Sequence, residues 1–124
     1  MKFLKATARE HLAKAQRNER LSSELKQLPE QYRDWQIIAV FYAAVHLVQA
    51  YLRDKTTMYP QTHEERDRLI SSLETLRAIY PNYQELKHLS VTARYTCLPT
   101  NEFDVKEARQ QLAIIRAHVE KLLM

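Results

Sequence analysis

Apolar positions along this chain recur at three- and four-residue spacings, and Pro, Asn and Thr punctuate them into five segments of helical period. The first segment, about Phe3 to Leu28, carries a weak stripe of Leu4, Ala8 and Leu12, then Leu21, Leu25 and Leu28, which predicts a partly exposed helix. The second, opened by Pro29 and running to about Arg53, is apolar nearly all round, with Ile37, Phe41, Ala44, Val48 and Leu52 on one side and Ile38, Ala39 and Val45 about it. A helix of that kind belongs in the middle of a bundle. Thr62 and Glu65 form a capping box that starts a third helix with the stripe Leu69, Leu73, Leu76 and Tyr80. Pro81 and Asn82 break the chain, and Asn82 with Glu85 caps a fourth helix to about Thr96 that points Leu86, Leu89 and Ala93 inward. Leu98, Pro99 and Thr100 end it. The fifth, about 102–123, repeats Val105, Ala108, Leu112, Ile115, Val119 and Leu122, a seam that wants a partner helix. Short connections make neighbours antiparallel, so the predicted fold is all-α: an antiparallel up-and-down bundle of four to five helices, one domain over 1–124. Its buried set is expected to be Ile37, Phe41, Ala44, Val48, Leu52, Leu69, Leu73, Leu76, Leu86, Leu112, Ile115 and Val119.

Composition narrows the chemistry. Glycine is absent and only four prolines occur, which argues against Gly-rich phosphate loops and dinucleotide-binding turns, because both need glycine where backbone approaches phosphate. Cys97 is the only cysteine, so one chain builds neither a disulfide framework nor a thiolate zinc cluster. The N-terminus has no apolar run of signal-peptide length, and the stretch 37–52 is interrupted by His46 and Gln49 and reads as too short to span a bilayer; the expected location is the cytoplasm, away from membranes. The net charge of +4 is concentrated: residues 1–28 hold seven Lys or Arg against three Glu, and the remainder is neutral. A basic helix can be a footprint for nucleic acid, although so small an excess on its own fits a solvated face.

One polar stripe crosses the apolar second helix. At 100° per residue, Trp35, Tyr42, His46 and Arg53 fall within about 20° of one meridian, flanked by Gln49 and Ala39. Antiparallel packing would bring the start of the third helix, HEERDRL, and the end of the fourth, SVTARY, to the level of His46. His46, Gln49, His63, Arg66, Arg94 and Tyr95 would then collect at one end of the bundle as a candidate binding site, with His46, Arg66 and Arg94 as its candidate catalytic groups. An imidazole works as acid or base near neutral pH, and guanidinium groups hold phosphate bidentately. The plainer reading of the same residues is a polar cluster that pins helices together. No metal or other cofactor is expected. The Glu85-x-x-His88 pair occurs once, where a di-iron bundle needs it twice, and a three-histidine site would require His46 to meet two of His11, His88 and His118.

The run DWQIIAVFYAAVHLVQAYL, a proline-containing loop, THEERDRLI and then YQELKHLSVTARY resemble, in order and spacing, the HEPN superfamily (higher eukaryotes and prokaryotes nucleotide-binding) over about residues 30–96. The resemblance implies an antiparallel helical bundle, commonly a homodimer, among proteins linked to RNA or nucleotide binding, toxin–antitoxin pairs and phage defence. Many members are metal-independent endoribonucleases that use an arginine followed, after four to six residues, by a histidine. No arginine here has a histidine at that spacing, so the usual catalytic pair is missing and any remaining nuclease activity would be that of a degenerate endoribonuclease using the helix-two and helix-three group. Two functions follow as expectations: an RNA- or nucleotide-associated HEPN-like protein, or a non-catalytic helical interaction module, such as an antitoxin-like partner of another protein or a scaffold homodimer. The Trp35 and Tyr42 stripe and the fifth-helix seam offer more apolar surface than one small bundle hides, which also points to a homodimer.

Overall fold

A computed structural model describes residues 5–124; the expected positions Phe3 and Leu4 lie outside the described residues. Five α-helices follow in order, α1 (Ala8–Glu24), α2 (Arg33–Lys55), α3 (His63–Ser72), α4 (Tyr80–Tyr95) and α5 (Glu102–Leu123), with short 3-10 turns before α2 and α4 and after α1. Among the described residues there is no strand. The all-α bundle expected from the spacing of apolar positions is what forms.

α2 is its axis. From Gln36 to Leu52 every residue is buried except Tyr42 and His46, because α1, α4 and α5 each lie against a different side of it. α1 runs antiparallel to α2, with His11 near His46 at one end and Ser22 near Gln36 at the other. α5 seats Val105, Ala108, Leu112, Ile115 and Val119 in the core, as its seam predicts, while Leu122 is partly buried. α2 is long and apolar enough to cross a membrane by length and composition, contrary to the reading of its apolar stretch as too short. Its apolar surface is nevertheless used inside the bundle, with 83% of its most apolar window buried there.

The ends of the helices follow local chemistry. Thr7 and Glu10 form a reciprocal capping box on α1, so that helix starts at Ala8 rather than near Phe3. Thr62 accepts from the Glu65 amide at the start of α3, and the Glu65 carboxylate accepts from the Gln61 amide. With no glycine to take a left-handed cap, no described residue has positive φ. α2 and α4 instead close on threonine: Thr56 donates its hydroxyl to the Leu52 carbonyl at 2.6 Å, and Thr96 donates to Thr92 at 2.8 Å.

Four sequence expectations are corrected. The buried face of α1 is His11, Ala15 and Ser22, whereas Leu21 and Leu28 are exposed; a helix lying on an already apolar α2 needs small, close-fitting residues there more than leucines. α2 begins at Arg33, after a 3-10 turn over Glu30–Tyr32 for which Pro29 is the N-cap. α3 stops at Ser72 because Leu73 is extended, so Leu69 and Leu73 are only partly buried and the inward residues are Arg66 and Ile70. α4 begins at Tyr80 with Pro81 in its first turn, and Asn82 donates to Gln111 of α5 at 2.8 Å instead of capping. The other ten residues expected in the core are buried.

Candidate functional site

Tyr42 and His46, the two incompletely buried residues of the α2 interior, mark where the bundle opens, and both belong to the polar stripe legible in the sequence. Two hydrogen-bonded groups flank them.

The first joins α1, α2 and the loop between α2 and α3. His11 Nδ1 lies 2.9 Å from His46 Nδ1, with the rings stacked at 5.2 Å, and His11 Nε2 lies 3.0 Å from the Tyr59 hydroxyl. A nitrogen-to-nitrogen bond of this kind holds a single proton, so one imidazole donates and the other accepts. Burial pushes His46 down to about 4, and His11, Lys14, Arg66 and Arg17 push in the same direction. Burial also lowers His11, with Arg66 and Arg53 adding to it and Glu10 opposing. Both rings are therefore neutral at pH 7.

The second group hangs on Gln49. Its amide donates to the Pro60 carbonyl at 3.2 Å and accepts from Arg66 Nε at 3.2 Å, which pins the loop and aims the guanidinium. A second Arg66 nitrogen lies 3.1 Å from His63 Nδ1. Arg66 is only 6% exposed, and both of its partners are neutral. His63 sits beside the rings of Phe41 and Tyr42; burial, then Arg66, Arg94 and Lys87, lower it, against a smaller opposite pull from Asp67. Arg94 donates to the Tyr42 hydroxyl at 3.4 Å and lies over the Tyr95 ring at 5.3 Å, with Tyr95 itself outside in solvent. Against Arg66, the buried Tyr83 hydroxyl has no geometrically satisfied partner, and burial raises it, so it stays protonated.

The expected constellation is thus divided. His63, Arg66 and Gln49 do meet, and Arg94 and Tyr95 join them through Tyr42. His46 is not bonded to Arg66 or Arg94; its partner is His11, which faces it because α1 lies along α2. α3 does not return beside α2 as a full bundle member but reaches it through the long Arg66 side chain. Sequence spacing named His11 only as one possible histidine partner and did not single out Tyr59. His11 shares one face of α1 with Ala15 and Ser22, and the structure buries that face. His118 instead contacts the Thr75 carbonyl, and among the described residues no three metal-ligating side chains cluster.

Cations gather at this end of the bundle. Among the described residues, the ion pairs use Arg33, Lys55, Arg68, Lys87 and Arg116. Among the described residues, Lys14, Arg17, Arg53, Arg66 and Arg94, which surround the three histidines, have no carboxylate partner. The clefts of about 580 and 600 Å³ lie elsewhere, between α1 and α5 and beside the α4–α5 connection. No protein family, curated protein or solved structure matches this chain.

Proposed function

We propose that this is an RNA- or nucleotide-associated protein of HEPN-like type, acting in the cytoplasm, that holds phosphate on the belt of cations around His46 and His63. The observation that carries the reading is Arg66: a guanidinium 6% exposed, bonded only to Gln49 and a neutral His63. A buried cation without a counter-ion costs several kcal/mol, on the order of what an arriving anion would offset. Four further cations without carboxylate partners stand around it, and the basic face of α1 extends the same field. Phosphate, like carboxylate, is an anion that planar guanidinium groups bind bidentately. The histidines are neutral and so placed as acceptors or bases, but with the usual arginine–histidine ribonuclease spacing absent, binding is the activity proposed and hydrolysis is not.

The test is binding to a single-stranded RNA across a salt series, beside thermal melting of each variant. Replacing both Arg66 and Arg94 by Gln is expected to weaken binding at least about tenfold and to flatten the salt dependence, with melting close to the parent. Unchanged affinity per folded molecule in that variant, with a drop in stability, overturns the reading and leaves a purely structural cluster.

A second reading, a helical interaction module that pairs with another copy, is supported at the opposite pole. There Trp35 is 55% exposed, and Leu98 and Phe103 are 73% and 75% exposed around the start of α2 and the α4–α5 connection. Light scattering on the order of tens of micromolar should report a dimer, and replacing Trp35 and Phe103 together by Ser should return a monomer. A monomer in the parent removes this reading.

A further inference from the structure

We infer that His11, His46 and Tyr59 form an oxyanion site that takes up one proton together with its ligand. The inference rests on the phosphate-binding reading above and adds to it a second set of ligating groups and a coupling to pH.

The geometry of the pair carries it. With both imidazoles neutral, one proton lies between the two Nδ1 atoms, 2.9 Å apart. The outer nitrogen of His11 is occupied by the Tyr59 hydroxyl at 3.0 Å, while the outer nitrogen of His46 has no partner among the described residues. His46 is also one of the two places where the interior of α2 reaches the surface. The chain Tyr59–His11–His46 therefore has one open end. Adding a single proton keeps the bond between the two Nδ1 atoms and makes both outer nitrogens donors: His11 donates to the Tyr59 oxygen, and His46 donates outward. A second proton would put hydrogen on both facing nitrogens and break the pair. One proton is the number the arrangement accommodates.

The surroundings decide when that proton arrives. Facing the pair are Lys14 and Arg17 from α1, Arg53 from α2 and Arg66 from α3, and Lys5 lies over the Tyr59 ring. Among the described residues, the acid that faces it is Glu10, whose carboxylate already accepts the Thr7 amide in the α1 capping box at 2.9 Å. Without ligand, burial and then this field keep the proton off. An oxyanion seated among those cations cancels their field and offers His46 an acceptor, so proton and anion favour each other's binding. The ligand class is a tetrahedral oxyanion, supplied either by the backbone of a nucleic acid or by a free or terminal phosphate.

Sulfate is the suitable probe, because it does not titrate between pH 5 and 8 and any pH dependence then belongs to the protein. At constant ionic strength set with chloride, histidine NMR signals followed against pH should show the His46 pKa moving up by about one unit or more at saturating sulfate. Sulfate affinity should rise as pH falls from 7 toward 4, most steeply below about pH 5, by a total of about tenfold for each unit that the His46 pKa moves. His46→Gln should abolish that slope, and His46→Asn, which also removes the imidazole, should do the same if the first variant folds poorly. An unmoved His46 pKa in the parent, or sulfate affinity independent of pH, overturns the inference. RNA that binds in a salt-sensitive manner beside a flat sulfate titration would leave the phosphate-binding reading standing without this one. Proton-coupled sulfate binding without RNA affinity would do the reverse. An RNA with a 5′-phosphate competing with sulfate better than the same RNA without it assigns the site to terminal phosphate, and equal competition assigns it to the backbone.

Discussion

α1 and α2 are tied together by polar groups at two places, and the two ties are built differently. Near the start of α2, Ser22 donates to the Gln36 carbonyl at 2.9 Å, and one Arg109 nitrogen donates to the Ser22 carbonyl at 3.2 Å and to Gln36 Oε1 at 2.8 Å. Near its end, His11 meets His46. The first tie joins three helices through a hydroxyl, an amide, backbone carbonyls and the Arg109 guanidinium, none of which changes charge near pH 7, and its polar atoms face one another. The second uses two titratable rings, leaves one nitrogen open and stands among cations that have no acid. Both satisfy the demand that buried polar groups find partners. Only the second leaves anything for a ligand to complete, and that difference separates a clamp from a site more clearly than burial does.

The largest effect that sharpens this contrast is expected at the clamp. Arg109→Met should cost about 2 kcal/mol of stability, since it removes the donor to two buried acceptors, and should leave RNA affinity per folded molecule unchanged. Chemical denaturation beside a binding isotherm reads both quantities. Arg66→Gln should show the opposite pattern, with affinity falling about tenfold while stability moves little or rises, because the substitution removes a buried charge whose partners are neutral. If the two variants behave alike, the distinction between clamp and site collapses.

A smaller effect is expected with pH. His46 is held near 4 in the folded chain, mainly by burial, against an ordinary histidine value of 6.5 in the unfolded one. Between those values the unfolded chain binds more protons, so stability is complete above about pH 6.5 and falls as the pH drops toward 4. His11 and His63, both lowered chiefly by burial, act in the same direction. His46 is half-exposed, and after allowance for solvent screening its share is on the order of 1 kcal/mol. His46→Gln should flatten the melting temperature over this range by that amount. An unchanged slope would mean that the imidazole pair is open to water and carries no coupling.

The unequal legibility of the two regions has a physical origin. The core of α2, the α5 seam and the stripe of Tyr42 and His46 were all readable, since each follows from the 3.6-residue period acting within one helix. Arg66 and His63 could be placed near Gln49 because a short loop limits where the next helix can begin. The His11 partnership was not readable beyond a list of candidates, for it depends on which face of α1 lies inward, and that face centres on His11, Ala15 and Ser22, with Leu12 partly buried beside them and Leu21 exposed. The early end of α3 escaped for a related reason. Leu73, Leu76 and Tyr80 continue an apolar spacing, but Leu73 is extended and Leu76 reaches the core from a turn.

The smallest expected effect tests that inversion on α1. Leu21 and Leu28 are 46% and 47% exposed, whereas Ser22, next to the first of them, is fully buried with its hydroxyl bonded to Gln36. Hydrophobic spacing alone would have Leu21→Gln remove a core contact at a cost of about 2 kcal/mol or more. With α1 turned so that Ser22 faces inward, the same substitution should change stability by no more than about 0.5 kcal/mol, as ordinary surface replacements do. It should also leave the His11–His46 pair, and with it the pH dependence, untouched. Ser22→Ala at the adjacent position should cost more than Leu21→Gln despite being the smaller chemical change, because it deletes the hydroxyl that donates to the Gln36 carbonyl. Denaturation midpoints of the two variants decide it. Should Leu21→Gln prove the more damaging, α1 would have to lie on α2 with its leucines inward, His11 would point away from His46, and the site would lose the partner that closes one side of it.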